Sequence, residues 1–243
     1  MNLHSYKGTF AGFELNLIFQ FSGTSSYFGD YLTENTTDQS NYICVDDKDY
    51  RFWEQKYKMQ KDAYTEYCLS AYRVSDELIK NHSVLFHGAS FLWDKKAYIF
   101  SAPSGTGKST QIRNWMYLYK DEVTILNGDK SILKFCGNDI PDVYPSPWKG
   151  KERWGKDDIN APLGGIIFLK QGNDDRIDKI SRKSFNEFYL SGVFSSFEDP
   201  DLISQICRIG EHLYQSVPMW ILTNKGDYES ARIMHDYICT YEG

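Results

Sequence analysis

At 243 residues, with 41% hydrophobic and 25% charged side chains, the chain has the make-up of a folded globular protein and the length to bury a large core, which excludes wholesale disorder. A net charge of -6 supplies no basic field of the kind that neutralises nucleic-acid phosphates, so nucleic acid is excluded as a main partner. The five cysteines form no C-x-x-C pair, and the longest early apolar stretch, Leu15 to Phe21, is interrupted by Asn16 and Gln20. With no membrane span and no secretory-signal order in the first seven residues, a cytoplasmic protein with reduced thiols is expected.

Phe13, Leu15, Leu17, Phe19 and Phe21 alternate with mostly polar neighbours, the period-two pattern of a half-buried strand. Ser22 to Ser40, rich in Gly, Thr, Asn and Asp, predicts a loop, and Asp62 to Asn81 a helix. From Val84 short apolar runs follow one another: Val84-Leu85-Phe86, Ser90-Phe91-Leu92-Trp93 and Ala97-Tyr98-Ile99-Phe100, the last two separated by a turn at Asp94-Lys95-Lys96. A helix is expected from Lys108 to about Tyr119, then strands over Val123 to Asn127, Ser131 to Phe135 and Gly165 to Leu169. Asp199-Pro200 supplies an N-cap and first-turn proline to a helix in which Leu202, Ile203, Ile206, Ile209 and Leu213 recur at helical spacing. Pro218 to Leu222 reads as a strand, and Asp227 caps a last helix reaching Tyr237. Strands alternating with helices predict an α/β fold. A boundary near residue 82 divides an N-terminal β/α section of unassigned role, 1–82, from the section that carries the chemistry, 83–243.

The chemistry centres on Pro103-Ser104-Gly105-Thr106-Gly107-Lys108-Ser109-Thr110, between an expected strand and an expected helix. A phosphate loop wraps backbone N–H groups around phosphate oxygens, and glycine gives the tight turn without a Cβ clash. Gly105 and Gly107 meet that need, Lys108 would neutralise the β/γ-phosphates, Ser109 would give its hydroxyl to Mg²⁺, and the helix would aim its N-terminus at the anion. The pattern G-x-x-x-x-G-K-[ST] places a glycine where this chain has Ala102.

Ala102 through Ser109 resembles the x-x-S-G-x-G-K-[ST] loop of the HPr kinase/phosphorylase and ATP-dependent phosphoenolpyruvate carboxykinase superfamily, which does not need that glycine. His87-Gly88 resembles the His-Gly two strands upstream of the loop in HPr kinases. The strand after the loop helix ends there in paired aspartates, and Asn127-Gly128-Asp129 falls at that place with one carboxylate. The segment Ser146-Pro147-Trp148-Lys149-Gly150-Lys151-Glu152 is similar to one that precedes an apolar strand in small bacterial HPr-kinase-like proteins. The likeness spans about Val84 to Leu169 and does not reach the first 82 residues.

This resemblance implies a mixed sheet with flanking helices, ATP and Mg²⁺ as cofactors, and transfer of the γ-phosphate to a hydroxyl, a serine of a protein or peptide. It implies Asp129 as metal carboxylate with Ser109. Either Asp129 also takes the hydroxyl proton, or His87 does, imidazole being the side chain suited to proton transfer near neutrality. Gly128 motivates an alternative from another class, a nucleotide-binding sensor or partner-binding module that has lost its chemistry. Lys149, Lys151, Arg153 and Lys156 form a basic stretch beside Trp148 and Trp154 that could meet nucleotide phosphates or an acidic acceptor, and Glu152 could replace the absent carboxylate. His212 and His235 have no partner at zinc-ligand spacing. Oligomeric state is left open.

Overall fold

The computed structural model describes residues 3–34, 42–137 and 140–241. Strands β1 (His4–Phe10) and β2 (Phe13–Phe19) form a hairpin in which Phe10 faces Phe13. Its two loop residues, Ala11 and Gly12, both have positive φ, 49° and 79°, the twist that a two-residue hairpin requires. β3 (Leu32–Glu34) lies antiparallel on β1 and β4 (Tyr42–Cys44) parallel on β2, giving the order β3-β1-β2-β4. The expected loop over Ser22 to Ser40 is therefore corrected in part: it holds two short 3-10 turns and β3, and residues 35–40 lie outside the described residues.

Two helices follow. α1 (Asp47–Tyr57) begins with a reciprocal capping box between Asp46 and Asp49, and α2 (Ala63–Lys80), capped by Asp62, fills the predicted helix. Glu66 on α2 is fully buried and accepts from Gln20 N at 2.7 Å, Phe21 N at 3.2 Å and Thr24 Oγ1 at 2.5 Å. A buried carboxylate met by that many donors pins the end of the hairpin to the helix. One apolar cluster joins Phe10, Leu17 and Phe19 of the hairpin, Val74 and Leu78 of α2, and Leu85, Ile132 and Trp148 beyond residue 82.

The larger sheet begins with β5 (Ser83–His87), β6 (Ala89–Trp93) and β7 (Lys96–Ser101), followed by α3 (Lys108–Tyr119), β8 (Thr124–Asn127), β9 (Lys130–Lys134) and β10 (Asp142–Tyr144). Then come β11 (Ala161–Gln171), β12 (Arg176–Lys179), α4 (Arg182–Gly192), α5 (Pro200–Ser216), β13 (Met219–Asn224) and α6 (Tyr228–Thr240). The order is β5-β9-β10-β11-β7-β6-β8, with β13 also on β11 and β12 on β13. β11 pairs antiparallel with β10 at its start and parallel with β7 and β13 further on, so this long strand joins two wings. Its run Ile166-Ile167-Phe168-Leu169 is buried on both faces, as a central parallel strand requires. Ile166 and Phe168 pack with Phe185, Ile206 and Leu213 of α4 and α5, whereas Ile167 and Leu169 pack with Ile112, Trp115 and Met234 of α3 and α6. The chain thus has the expected α/β class: a mixed sheet between helix layers, with an N-terminal section containing strands.

Among the described residues no helix is long and apolar enough to cross a membrane.

Candidate active site

The loop from Ala102 to Gly107 runs from the end of β7 into α3. Gly105 has φ 82° and Gly107 φ 114°, values that L side chains rarely adopt. Gly107 is the N-cap of α3 and offers no side chain to its first N–H groups, which leaves them free to face an anion. Lys108 is buried and folds back over the loop, its Nζ donating to Ala102 O at 2.7 Å and Pro103 O at 3.4 Å. Burial pushes its ammonium below the ordinary lysine range, partly offset by the nearby Asp129 charge. Ser109 is half-buried, and Pro103, Ser104 and Thr110 are exposed. The helix behind them is strapped down: Gln111 Nε2 donates to Asn224 Oδ1 at 3.1 Å and Ser230 Oγ at 2.7 Å, and Asn114 Nδ2 to Asp227 O at 2.8 Å.

His87 and Asp129 sit where the chain changes wing. At His87-Gly88 it passes from β5, paired with β9, to β6, paired with β7; at Gly128-Asp129 it passes back from β8 to β9. Gly88 N donates to Asp129 O at 2.8 Å, and Ser101 Oγ, at the end of the loop strand, donates to His87 O at 2.8 Å. The two wing crossings and the phosphate loop therefore share one corner. There His87 Nε2 lies 3.3 Å from Asp129 Oδ1, and Lys130 Nζ pairs with Asp129 Oδ2. Burial alone would raise the Asp129 carboxyl, but His87 and Lys130 outweigh it and hold it well below the usual carboxylate range.

Asn127, absent from the residues singled out by sequence, builds this turn. Its buried Oδ1 accepts from Asp129 N at 2.8 Å and Lys130 N at 2.9 Å, while Nδ2 donates to Ser146 O at 2.9 Å. An Asx turn of this kind fixes the carboxylate that follows it, and Asn before Gly-Asp is the local signal that could have revealed it.

The basic stretch divides. Lys149 pairs with Asp157 at 2.7 Å and also donates to Gly155 O, while Glu152 pairs with Arg113 of α3 at 3.3 Å, and that guanidinium lies over the Trp154 ring. Lys151 is exposed. The segment closes over Gly128, whose N–H donates to Trp154 O at 3.0 Å. A Cβ on Gly128 would lie 2.8 Å from Lys149 O, and one on Gly150 would lie 2.8 Å from the Asp129 Cβ. Backbone therefore occupies the room that a second carboxylate would need. Gly128→Asp is expected to lower stability by about 1–3 kcal/mol without raising phosphoryl transfer, read from urea midpoints and rates. An unchanged midpoint with faster transfer would refute this packing argument.

No family model matches the chain, and no curated protein matches it. Among solved structures it is similar to the Hpr(Ser) kinase/phosphatase of Coxiella burnetii, at 13% identity over 63% of this chain and 98% of that one, with a TM-score of 0.28. A likeness at that score carries no argument about activity, which must come from the residues.

Proposed function

We propose that this chain is an ATP-dependent phosphotransferase that moves the γ-phosphate to a hydroxyl, a serine of a protein or peptide. The observation that carries the reading is the shared corner: a glycine loop with a buried lysine, and a carboxylate contacting a histidine, joined by the Gly88 N–Asp129 O backbone hydrogen bond and by the Ser101 hydroxyl on His87 O. Phosphoryl transfer asks mainly for positioning and charge neutralisation, which such a corner supplies. The phosphates lie along the loop N–H groups with Lys108 on the β/γ oxygens. The acceptor oxygen bonds the γ-phosphorus as the bond to the β-phosphate breaks, and its proton passes to the Asp129–His87 pair.

The donor set fits Mg²⁺, a cation that takes oxygen ligands and is held by one or two carboxylates together with substrate phosphates. Ser109 and Asp129 would hold it, and it would neutralise charge building on the phosphates. A carboxylate as acidic as Asp129 is a good metal ligand and a weak base, which favours His87 as the group that receives the proton.

Incubation with γ-labelled ATP, Mg²⁺ and candidate protein acceptors tests the reading. Label on a serine supports it. Normal ATP binding with no labelled acceptor instead favours the second reading, a nucleotide-binding sensor or partner-binding module, for which the closed packing over Gly128 is the supporting observation.

A further inference from the structure

β11 and β13 run parallel with β7, and so does β8, because β6 is antiparallel to both β7 and β8; the four strands therefore end at one edge of the larger sheet. Along that edge Asp129 follows β8 on one side of the phosphate loop. Asn224-Lys225-Gly226-Asp227 follows β13 on the other side, two strand spacings, or about 10 Å, from β7. This second loop is fastened to the helix that the phosphate loop feeds. Asn224 Oδ1 accepts from Gln111 Nε2 at 3.1 Å, and Asn114 Nδ2 donates to Gly226 O at 3.2 Å and Asp227 O at 2.8 Å. A Cβ on Gly226 would lie 3.8 Å from Thr110 Cγ2, so the loop reaches the last residue of the phosphate-binding run.

Two tyrosines stand in solvent at this junction. Tyr117 of α3 and Tyr228, the first residue of α6, stack on each other at 4.8 Å with their rings 29° apart, yet they are 64% and 46% exposed. Thr110, Asn114 and Tyr117 fall at i, i+4 and i+7, so α3 carries them on one face, from the phosphate loop past the second loop to the aromatic pair. The charged groups around the pair are engaged locally: Lys225 with Asp175 at 3.4 Å, Asp227 as the cap on Ser230 N at 3.0 Å, and Glu229 with Arg232 at 3.6 Å. What the surface offers is aromatic face, which suits a neutral ring and not an ion. A nucleotide whose γ-phosphate meets Asp129 crosses the phosphate loop away from β8 and leaves it on the β13 side, which brings its base to the tyrosines.

We infer that Tyr117 and Tyr228, beside the loop Asn224–Asp227, are the seat of the nucleotide's base, which they hold by stacking. The inference rests on the phosphotransferase reading. Its test is calorimetric titration of the full chain with a non-hydrolysable ATP analogue and, separately, with tripolyphosphate, both with Mg²⁺; tripolyphosphate fills the phosphate loop and has no base. The wild type is expected to bind the analogue about tenfold more tightly than tripolyphosphate, the scale of one base stacked on an aromatic side chain. The double variant Tyr117→Ala, Tyr228→Ala should lose that advantage and hold tripolyphosphate as before, whereas Tyr117→Phe, Tyr228→Phe keeps the rings and should keep the advantage. An analogue affinity unmoved by removing the rings, an equal loss for both ligands, loss of the advantage in the Phe pair, or no wild-type advantage at all overturns the base seat and leaves the phosphate site standing. Binding of neither ligand by the wild type is instead the failure of the phosphotransferase reading, and the base seat falls with it.

Discussion

Lys108→Met is expected to cut phosphoryl transfer by roughly 10²–10³-fold, the cost of removing one preorganised charge from a phosphate site, while leaving the folded protein at least as stable. The second half of this result follows from the lysine's surroundings. Its ammonium is buried, held by two loop carbonyls, and pushed down in pKa chiefly by desolvation. A base with a depressed folded value binds its proton less readily folded than unfolded, so the charge weakens the fold at neutral pH. That penalty is relieved as pH rises from the folded value toward the ordinary 10.5. Methionine fills similar space without the charge. Loss of transfer with an unchanged or higher thermal midpoint marks a residue kept for chemistry. Retained transfer would remove the loop from the mechanism.

The local parts of this architecture were readable from sequence, and the long-range parts were not. β7, the glycine loop and α3 follow one another within 24 residues, and each carries its own signal: an apolar run, glycines at positive φ, a helix after Lys108. α5 announced itself through Asp199-Pro200 and its apolar spacing. β12 did not, because Arg176-Ile177-Asp178-Lys179 is an edge strand with little apolar alternation, paired only with β13. Nor did β10, three residues long and defined by its neighbours β9 and β11.

The same division runs through the site. His87 and Asp129 were singled out by resemblance, but their 3.3 Å approach depends on two separate wing crossings. Gly128 looked in sequence like a missing carboxylate; in the fold it is a contact point for the backbone at Lys149 and Trp154. Tyr31 and Tyr67, whose hydroxyls donate to Asp157 Oδ1 and Pro147 O, carried no signal at all, since each partner lies about 80 or more residues away. Physical meaning there is created by topology, which period and composition do not encode.

Asp129→Asn is expected to lower transfer by about 10²–10⁴-fold, the range for losing a group that moves or places a proton in the transition state, and also to lower stability at neutral pH. The substitution strips Lys130 of its anionic partner while its Nζ stays over the Phe194 ring, and it weakens the contact with His87. Losing charge-assisted hydrogen bonds of this kind costs roughly 1–3 kcal/mol. The pH dependence separates this contribution from a packing defect. Because the folded carboxyl is held below its ordinary value of 3.8, Asp129 stabilises the fold fully above about pH 4. Below that the contribution fades as pH falls toward the folded value. The gap between wild-type and Asp129→Asn urea midpoints should therefore stay constant from pH 5 to 8 and narrow on acidification. A gap that persists unchanged at pH 3 would assign the loss to packing instead. For transfer itself, an Asp129 carboxyl held well below its ordinary value takes up no proton between pH 8 and 5, so any fall in wild-type rate on acidification within that range must come from another group. His87→Gln should abolish that fall if His87 receives the proton; a variant that keeps it would leave the role to Asp129.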